Sequence, residues 1–567
     1  MDPVIVVGAG PVGLALSLCL ATQGVPTVVL DEGAGGDEPR PARTAVLRPD
    51  TAALVARLGC STLRDEGAQW VGWRQLRRKQ QMRRLRLGDA DEVGGASAAV
   101  GTVPGALGAA AGDGERADAV FPSPLHLPQH ALTRGLRDAA ARHELVRLVP
   151  ESRLDSLEQD PRGVTVHTRG PGATWWRGSH VVGCDGARST VRKLLGVRFP
   201  GRTAVERHAV AALRVELPWP GEAVLHRQPP WRGGGQEVSA RPLPDGAWRL
   251  DWLLPARGEL VTPEALVERV RDTLAGWCGE APPYDLLDTG VYTLHHRLAR
   301  RWRVDRAFLA GDAAHLLGAL GTQGLDEGLR DAENLGWKLA HAWHHGASET
   351  LLDSYQAERR TAVAARLRAA DQSLTILRGG GGLRTYLPGT ARGHDTLLAD
   401  GHLGNGPLGA PPAYPHSPLA PPHAEGHTTV DTRTGAPVAD VLVTAPDGTT
   451  VRLRDRLGRG RALVVLVAPG TGVWDRRHWL TAGVMPRLAE AVAALPAPSE
   501  LLVTESYPGA SAHTVLLVRP DGHLVAAFGG VRPDELYAAA DAARGGGPGP
   551  SSAKGRAGRT DRTVNIN

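Results

Sequence analysis

The sequence GAGPVG at residues 8–13 has three glycines at the spacing of a phosphate-binding turn. They follow a β-branched run at residues 4–7 and precede an apolar stretch with helical spacing. The pyrophosphate of a dinucleotide must approach backbone amides closely, and a Cβ atom on the turn would block it. We therefore expect Gly8 to permit the tight turn, Gly10 to admit the phosphates and Gly13 to let the helix pack on the strand. The helix N-terminus would add partial positive charge.

An acidic residue, Asp31, ends the second predicted strand at residues 27–30. At this position of a dinucleotide-binding fold a carboxylate binds a ribose 2′-hydroxyl. Such an acid disfavours a 2′-phosphate, so the site suits FAD or NAD better than NADP. The alternative is a glycine-rich turn with a surface aspartate.

A second motif, GCDGARS at residues 183–189, follows a strand-like segment and precedes a helical one. Asp185-Gly186 alone would be an ordinary turn. Cys184 has no paired cysteine in sequence, which favours a buried structural cysteine over a catalytic thiol.

A third motif, GDAAH at residues 311–315, continues into the glycine-rich segment 321–326. The preceding strand delivers Asp312 to a loop, where its carboxylate can accept a hydrogen bond from a ribitol hydroxyl. The segment 321–326 opens a long helix, whose N-terminus would stabilise the negative charge of a reduced flavin. His315 is expected to be a structural hydrogen-bonding residue rather than an acid–base catalyst.

The elements that must position these motifs indicate an α/β protein of several domains. The strand–helix–strand opening predicts a parallel sheet covered by helices, and the short strands after residue 204 predict an inserted antiparallel sheet. The expected organisation is a dinucleotide-binding domain at 1–203, a substrate-binding sheet domain at 204–296, the second part of the first domain with long helices at 297–399, a Pro-rich linker at 400–427, a small α/β domain at 428–545 and a disordered tail at 546–567.

Composition excludes several classes of function. The 65 basic and 60 acidic residues leave a net charge of only +5, and the basic run at 77–84 is interpreted as a solvated face, so no nucleic-acid partner is expected. Four widely spaced cysteines suggest neither a zinc site nor a disulfide framework, and no metal is expected. No apolar run is long enough for a membrane span, and the N-terminus lacks the basic region of a signal peptide. We expect a cytoplasmic protein.

Taken together and in this order, the three motifs resemble the signatures of class A FAD-dependent aromatic hydroxylases, the enzymes built like para-hydroxybenzoate hydroxylase. The likeness covers about residues 1–380. The segment LPQHAL at 127–132 looks like the helix start whose glutamine contacts the flavin, and Arg43 falls in a segment resembling one that reaches the FAD. The residues expected to bind the cofactor are Gly8, Gly10, Pro11, Val12, Gly13, Asp31, Glu32, Arg43, Gln129, Asp185, Gly311, Asp312, Gly321, Thr322, Gln323, Gly324, Leu325 and Asp326.

The resemblance implies a GxGxxG Rossmann-like FAD-binding domain and a monooxygenase reaction. NADPH or NADH would reduce the flavin, dioxygen would form a C4a-hydroperoxyflavin, and one oxygen atom would pass to an electron-rich aromatic carbon. No catalytic side chain is singled out, because positioning and water exclusion carry such reactions. The substrate would lie between the inserted sheet and the flavin. The aromatic residues of that region, each individually more typical of core, are Trp231, Trp248, Trp252 and Tyr292.

The C-terminal part extends the likeness to polyketide hydroxylases of antibiotic-producing bacteria, which carry a thioredoxin-like domain there. This chain has no cysteine after Cys278, so that domain is expected to be structural or to form an interface without thiol chemistry. The protein is expected to be a monomer or a homodimer.

The segment after the third motif departs from the family pattern. It has Ala319 where relatives have Pro, Thr322 where they have Gly and Asp326 where they have Asn. If the carboxylate of Asp326 faces the flavin, it should lower the reduction potential or alter the reactivity of the flavin with oxygen; alternatively it caps the helix. These departures keep other functions open: Baeyer–Villiger oxygenation, a flavin oxidoreductase that does not oxygenate, or a flavin-binding scaffold in a biosynthetic complex.

Overall fold

The fold is that of a computed structural model. It describes residues 1–36, 38–88, 120–171, 173–231, 237–254, 261–318, 323–346, 348–377, 399, 401–404, 406, 408–470 and 483–546. The chain forms two compact units, and helices and strands are numbered in chain order. The first unit comprises residues 1–340 and 358–412, and the second comprises 341–357 and the chain from 413 onward. The second unit therefore begins inside the predicted linker and includes a helical segment that we expected in the first.

The first unit is built on a six-stranded sheet that is parallel except at one edge. Its strands are β1 (Val4–Val7), β2 (Thr27–Leu30), β9 (Val146–Val149), β13 (His180–Gly183), β19 (Arg303–Val304) and β20 (Ala307–Leu309). Their order is β19-β20-β13-β1-β2-β9. The apolar strands β1 and β2 are buried along their length, as expected for a parallel sheet covered on both faces. Because β1, β13 and β20 run parallel, the three sequence motifs follow their carboxyl ends at one edge.

The structure gives bounds for the following α-helices. They are α1 (Pro11–Ala21), α2 (Pro49–Arg57), α3 (Gln129–Ala141), α4 (Thr190–Leu194), α5 (Pro263–Cys278), α6 (Gln323–His345), α7 (Glu349–Tyr355), α8 (Thr361–Leu377), α9 (Met485–Ala493) and α10 (Pro533–Ala543). Proline at the first position suits the start of α1, where its missing N–H is not needed. Within the described part of the chain, no helix combines the length and apolarity required to cross a membrane.

A nine-stranded sheet forms the second layer of the first unit. Its strands are β5 (Gly72–Arg77), β6 (Gln80–Gly88), β7 (Val120–Pro122), β14 (Gly201–Arg214), β15 (Glu222–Arg227), β16 (Glu237–Pro242), β17 (Ala247–Leu254), β18 (Asp285–Leu298) and β21 (His315–Leu317). Their order is β21-β18-β14-β17-β16-β15-β5-β6-β7. The sheet thus extends the antiparallel sheet predicted at 204–296 with strands from both flanking segments. The parallel pairing of β15 with β5 joins residues about 150 positions apart, which no local pattern reveals.

Two three-stranded sheets complete the first unit. One contains β3 (Thr44–Leu47), β8 (Leu125–Pro128) and β4 (Ala68–Gln69), in the order β3-β8-β4. The other contains β10 (Arg153–Asp160), β11 (Gly163–Arg169) and β12 (Trp175–Gly178). Thr44 lies opposite Pro128 in the β3–β8 pair, so the residues next to them, Arg43 and Gln129, become neighbours.

The second unit contains a six-stranded mixed sheet with α9 and α10. Its strands are β22 (Leu442–Thr444), β23 (Thr450–Arg452), β24 (Ala462–Val467), β25 (Ser499–Thr504), β26 (Thr514–Val518) and β27 (Leu524–Gly529), in the order β23-β22-β25-β24-β26-β27. Apolar side chains on both faces of β24 are buried in two separate core clusters. The predicted disordered tail lies, apart from Gly546, outside the described residues.

Candidate active site

A cavity of about 780 Å³ lies in the first unit between the edge of the parallel sheet and the nine-stranded sheet. The turns after β1, β13 and β20 supply one wall, and strand β18 supplies another through eight consecutive residues, Asp288–His295. Of the residues predicted to bind the cofactor, those that line the cavity are Gly10, Pro11, Val12, Arg43, Gln129, Asp312, Gly324 and Leu325.

The glycine-rich turn has the geometry that a closely approaching phosphate requires. Gly8 has φ +105°, and a Cβ there would lie 2.5 Å from the carbonyl oxygen of Cys184. A Cβ on Gly13 would lie 2.0 Å from the carbonyl oxygen of Gly8. A Cβ on Gly10 would meet no atom within 4 Å, although Gly10 lines the cavity. Gly8 and Gly13 are thus required by packing, whereas Gly10 leaves the start of α1 open to the cavity.

The acid after β2 is held by backbone amides. The Ala9 N–H donates to Asp31 Oδ2 over 2.6 Å, and the Gly33 N–H donates to Oδ1 over 2.8 Å. Glu32 is exposed and lies 3.9 Å from Arg153. Neither acid lines the cavity, but Asp31 ties the end of β2 to the glycine-rich turn.

Arg43 and Gln129, which are 86 positions apart in sequence, are brought together on the cavity wall. The Arg43 Nε–H donates to Gln129 Oε1 over 3.0 Å, and the Gln129 backbone N–H donates to the Arg43 carbonyl over 2.8 Å. The pairing of β3 with β8 sets this contact. Both side chains therefore present polar groups to the same part of the cavity.

The second motif forms the cap of a short helix. Asp185 accepts hydrogen bonds from the Ser189 hydroxyl and from the backbone N–H groups of Thr190 and Val191. Gly186, beside it, lines the cavity. Cys184 also lines the cavity but is largely buried, and burial raises the pKa of its thiol well above the ordinary value. A thiol in this state is protonated and a poor nucleophile, which agrees with the structural interpretation.

The third motif places a carboxylate on the cavity wall. Gly311 adopts φ +59°, which lets the chain turn after β20. The Asp312 side chain is open to the cavity, yet the surrounding protein disfavours its charge and raises its pKa, with His315 and Arg43 opposing this effect. His315 is fully buried and bonds through Nε2 to Asp331, 2.8 Å away, so it is structural as expected.

The segment after the third motif is only partly described. Ala319, Gly321 and Thr322 lie outside the described residues, and α6 begins at Gln323, whose side chain is likewise not described. Gly324 and Leu325 of the first helical turn line the cavity.

Asp326 lies one residue further along α6 and is buried, with 1% of its surface exposed. Its carboxylate is paired with the guanidinium of Arg48, and it also accepts from the Thr51 hydroxyl and the Arg48 backbone N–H. It is not among the residues that line the cavity. These partners lie in α2 or directly before it, and not in the first turn of α6. The guanidinium of Arg48 balances the negative charge of Asp326.

The nine-stranded sheet carries a buried polar cluster of which the sequence pointed only to Tyr292. Arg249 of β17 and Tyr292 of β18 line the cavity, and both contact Asp251, at 3.0 and 2.8 Å. His208 of β14 lies 2.5 Å from the other oxygen of Asp251 and stacks on the Tyr292 ring. The alternation of the sequence WRLDW at 248–252 was an available signal, since it places both charged residues on one face of the strand.

The charges in this cluster support one another. Burial alone would lower the pKa of His208, but the carboxylates of Asp251 and Glu206 outweigh it and raise the pKa to about 9. Burial would raise the pKa of Asp251, but His208 and the nearby guanidinium groups hold it well below its ordinary range. Burial and Asp251 raise the pKa of Tyr292, which stays a phenol. Of the four aromatic residues named from sequence, only Tyr292 lines the cavity, while Trp248 and Trp252 are core residues.

The residues present fit FAD. The start of α1 faces the cavity with a glycine whose Cβ position is open, which suits a pyrophosphate. The guanidinium of Arg43 and the amide N–H groups of Gln129 can donate hydrogen bonds to phosphate oxygens, and the carboxylate of Asp312 can accept a hydrogen bond from a ribitol hydroxyl.

A family model described as FAD binding domain matches residues 1–370. The chain belongs to this family. It is an FAD-dependent enzyme of the monooxygenase type, as the three motifs predicted. The match includes all the residues that line the cavity.

Two curated relatives and one solved structure show the range of this likeness. Rifampicin monooxygenase of Streptomyces venezuelae is 34% identical over 369 residues, which cover 63% of this chain and 68% of that enzyme. Dialkyldecalin synthase of Streptomyces rugosporus is 31% identical over 401 residues, which cover 66% and 73%. The anhydrotetracycline hydroxylase OxyS from Streptomyces rimosus superimposes with a TM-score of 0.65 at 27% identity, covering 97% of this chain and 99% of that one.

Proposed function

We propose that this protein hydroxylates a polycyclic aromatic substrate of the polyketide type, using FAD, NADPH or NADH, and dioxygen. The observation that carries the proposal is a cavity in which the sheet edge with the glycine-rich turn faces a sheet wall with polar and aromatic side chains. When bound, FAD supplies the hydride acceptor and the site of oxygen activation. The overall change would be insertion of one oxygen atom into an aromatic C–H bond, with the other oxygen leaving as water.

The residues of the chain would act by binding and orientation. The start of α1 and the Arg43–Gln129 pair would hold the cofactor, and Asp312 would accept a hydrogen bond from its ribitol chain. Strand β18 would hold the flat face of the substrate against the flavin, with Tyr292 on that wall. Enclosure between the two sheets would exclude water and so would protect a reactive intermediate from side reactions with water.

We further infer that the first unit has a Rossmann-like cofactor fold and that the second is a thioredoxin-like domain without redox chemistry. The parallel order β13-β1-β2-β9 with a glycine-rich turn after β1 supports the former. The mixed sheet of the second unit, in which β24 pairs in parallel with β25 and antiparallel with β26, supports the latter. The sequence offers this unit no cysteine for thiol exchange.

A second candidate function is a reaction that does not oxygenate, with FAD as a bound structural cofactor. It is favoured by one specific observation: a relative of comparable identity is named a synthase rather than an oxygenase. Baeyer–Villiger oxygenation uses the same cofactor and cavity and would differ only in product.

The test is rapid mixing of the NADPH-reduced holoenzyme with oxygenated buffer, followed by absorbance. A transient band of a C4a-hydroperoxyflavin would support the monooxygenase, and product analysis would separate hydroxylation from Baeyer–Villiger chemistry. Reoxidation without that band, and no substrate-dependent NADPH consumption, would favour the second candidate. A Gly10→Val variant with reduced FAD binding is the control for activity from free flavin.

A further inference from the structure

Strand β18, which forms the sheet wall of the cavity, has a glycine in its interior. Gly290 lies between Asp285 and Leu298, the ends of the strand, and lines the cavity. Glycine weakens a strand, because it loses more conformational freedom on folding than other residues and has no side chain to pack. Three circumstances account for a glycine in such a place: a β-bulge or bend, another backbone close by, or a ligand that approaches closely.

The first two circumstances do not apply to Gly290. It pairs with Val210 in a regular stretch, where residues 288–294 of β18 lie opposite residues 206–212 of β14, and the register shifts fall outside this stretch. Its φ is not positive. A Cβ atom on Gly290 would have one neighbour within 4 Å among the described residues, Val210 Cγ2 at 3.5 Å, which is an ordinary contact. The fold would therefore accept a side chain here, and a ligand is the circumstance that remains.

Other glycines that line the cavity show what a structural requirement looks like. A Cβ on Gly318 would lie 2.6 Å from the Cβ of Leu294, and Gly186 has φ +75°. The fold requires glycine at both positions. Gly290 instead resembles Gly10, which has free space at its Cβ position and lies on the opposite wall, where the cofactor phosphates are expected.

The missing side chain leaves a notch between two fixed neighbours. Side chains alternate along a strand, so Asp288, Gly290 and Tyr292 share one face of β18, and the four-residue step between the outer two spans about 13 Å. The Tyr292 hydroxyl donates to Asp251 over 2.8 Å, and Asp288 accepts from the Ala42 backbone N–H over 3.0 Å. These hydrogen bonds hold both side chains in place on either side of the notch.

The chemistry of the notch suits a flat aromatic ring. Its floor is the Gly290 backbone with the buried, apolar side chain of Val210, and its sides are the carboxylate of Asp288 and the phenol of Tyr292. An apolar floor with a few polar groups at the rim is typical of sites for small organic ligands. The cavity of about 780 Å³ must hold the substrate in addition to FAD, so depth at this wall limits the size of the ring system.

We propose that Gly290 is a specificity-determining residue, because its missing side chain makes room for a fused aromatic ring system against β18. The inference rests on the proposed function, since it assumes that the aromatic substrate lies on the sheet side of the cavity. A single ring needs less of this space and should depend less on Gly290.

The experiment compares aromatic alcohols of one, two and three rings on the oxidised holoenzyme. The probes are phenol, 2-naphthol and 9-phenanthrol, and binding is followed by perturbation of the flavin spectrum. The parent is expected to bind more tightly as rings are added. Gly290→Ala should weaken binding of 9-phenanthrol about tenfold and Gly290→Val about 100-fold, since the added side chain takes space that the larger ring system needs. Binding of phenol should change by less than about twofold.

Thermal unfolding of the apoproteins separates a role in ligand binding from a role in packing. Alanine and valine both restrict the unfolded chain more than glycine does, and valine favours strands, so each variant should keep or raise the melting temperature. Gly529→Val is the matched control, because a Cβ at this exposed end of β27 would meet no described atom within 4 Å. It should bind all three probes like the parent.

Equal weakening of all three probes by Gly290→Val, or unchanged binding of 9-phenanthrol, would overturn the inference. So would a parent that binds the three probes equally. A lower melting temperature of the Gly290→Val apoprotein would show that the fold needs the glycine, and a lower affinity for FAD would assign the notch to the cofactor; either result contradicts the inference. Since binding to the oxidised protein needs neither NADPH nor dioxygen, the outcome is independent of whether the enzyme hydroxylates.

Discussion

At the scale of single residues, the two glycines that flank the start of α1 have different roles. Gly10 borders the cavity with free space at its Cβ position, whereas Gly13 packs against the backbone of Gly8. An added methyl group should therefore have different effects at the two positions. At Gly10 the methyl group would block a bound ligand. At Gly13 it would clash with the backbone of Gly8 and destabilise the fold.

We expect Gly10→Ala to keep the melting temperature of the apoprotein and to weaken FAD binding about tenfold, or roughly 1.4 kcal/mol. Gly13→Ala should destabilise the apoprotein by about 1–3 kcal/mol through overpacking. Thermal unfolding without FAD and titration with FAD measure the two effects. A Gly10→Ala protein that binds FAD like the parent would contradict this assignment.

The second residue-scale prediction concerns the buried pair of Asp326 and Arg48. Removing one partner leaves the other charge buried and unpaired, which typically costs about 3–5 kcal/mol. Asp326→Asn should therefore lower the free energy of unfolding by several kcal/mol, as measured by denaturant titration. The exposed Asp65→Asn is a suitable control for loss of one negative charge.

The same pair revises the hypothesis on the flavin potential. Because Arg48 balances Asp326, the intact pair should contribute little to the potential of the bound flavin. Asp326→Asn alone would leave a positive charge and raise the potential, whereas Arg48→Met together with Asp326→Asn should restore the parent value. Spectroelectrochemical titration of the three proteins tests this. A double variant that keeps the raised potential would show that Asp326 acts on the flavin directly.

At the scale of elements, the nine-stranded sheet gains a pH-dependent contribution from the contact between β14 and β17. His208 has a pKa of about 9 in the folded protein, above its ordinary value of 6.5. The proton is therefore bound more tightly in the folded state. This stabilisation is complete below pH 6.5 and is lost as the pH rises through 9.

We expect the free energy of unfolding to decrease by roughly 3 kcal/mol between pH 6.5 and 9 because of this group, at about 1.4 kcal/mol per pKa unit. His208→Asn should remove this part of the pH dependence and lower stability mainly at the acidic end of the window. Denaturant titrations at several pH values measure it. The exposed His416→Asn should retain the slope of the parent; an unchanged slope in His208→Asn would contradict the assignment.

At the scale of the whole molecule, the cofactor site and the C-terminal sheet belong to different compact units. All residues that line the cavity lie in the first unit. FAD that binds only the folded state of that unit stabilises it by mass action. The second unit has its own buried cores, and none of its described residues is among those that line the cavity.

Calorimetry of the full chain should therefore show an unfolding transition whose temperature rises with FAD concentration and another that does not. At free FAD about 100 times the dissociation constant, the first unit should gain about 2.7 kcal/mol. NAD, which lacks the isoalloxazine ring, is the control ligand. A single transition that shifts as a whole with FAD would show that the two units unfold cooperatively.

The sequence alone determined the class of cofactor, because the chemistry of a phosphate-binding turn is local. The backbone geometry of a few neighbouring residues requires glycine at positions 8 and 13. This requirement can be recognised in a sequence when the glycines lie between a predicted strand and a predicted helix. The same holds for the turn at Gly311-Asp312 and for the C-terminal α/β unit, whose apolar strands and turns follow local periodicity.

Only the tertiary structure decided which distant residues meet. Arg48 with Asp326 and Arg249 with Tyr292 are 278 and 43 positions apart, and their contacts follow from sheet order and helix placement. The strands that residues 72–88 add to the nine-stranded sheet are likewise chosen by long-range pairing. Local periodicity fixes which face of an element is buried but not which element covers it. Which charged groups border the cavity is therefore a property of the folded chain.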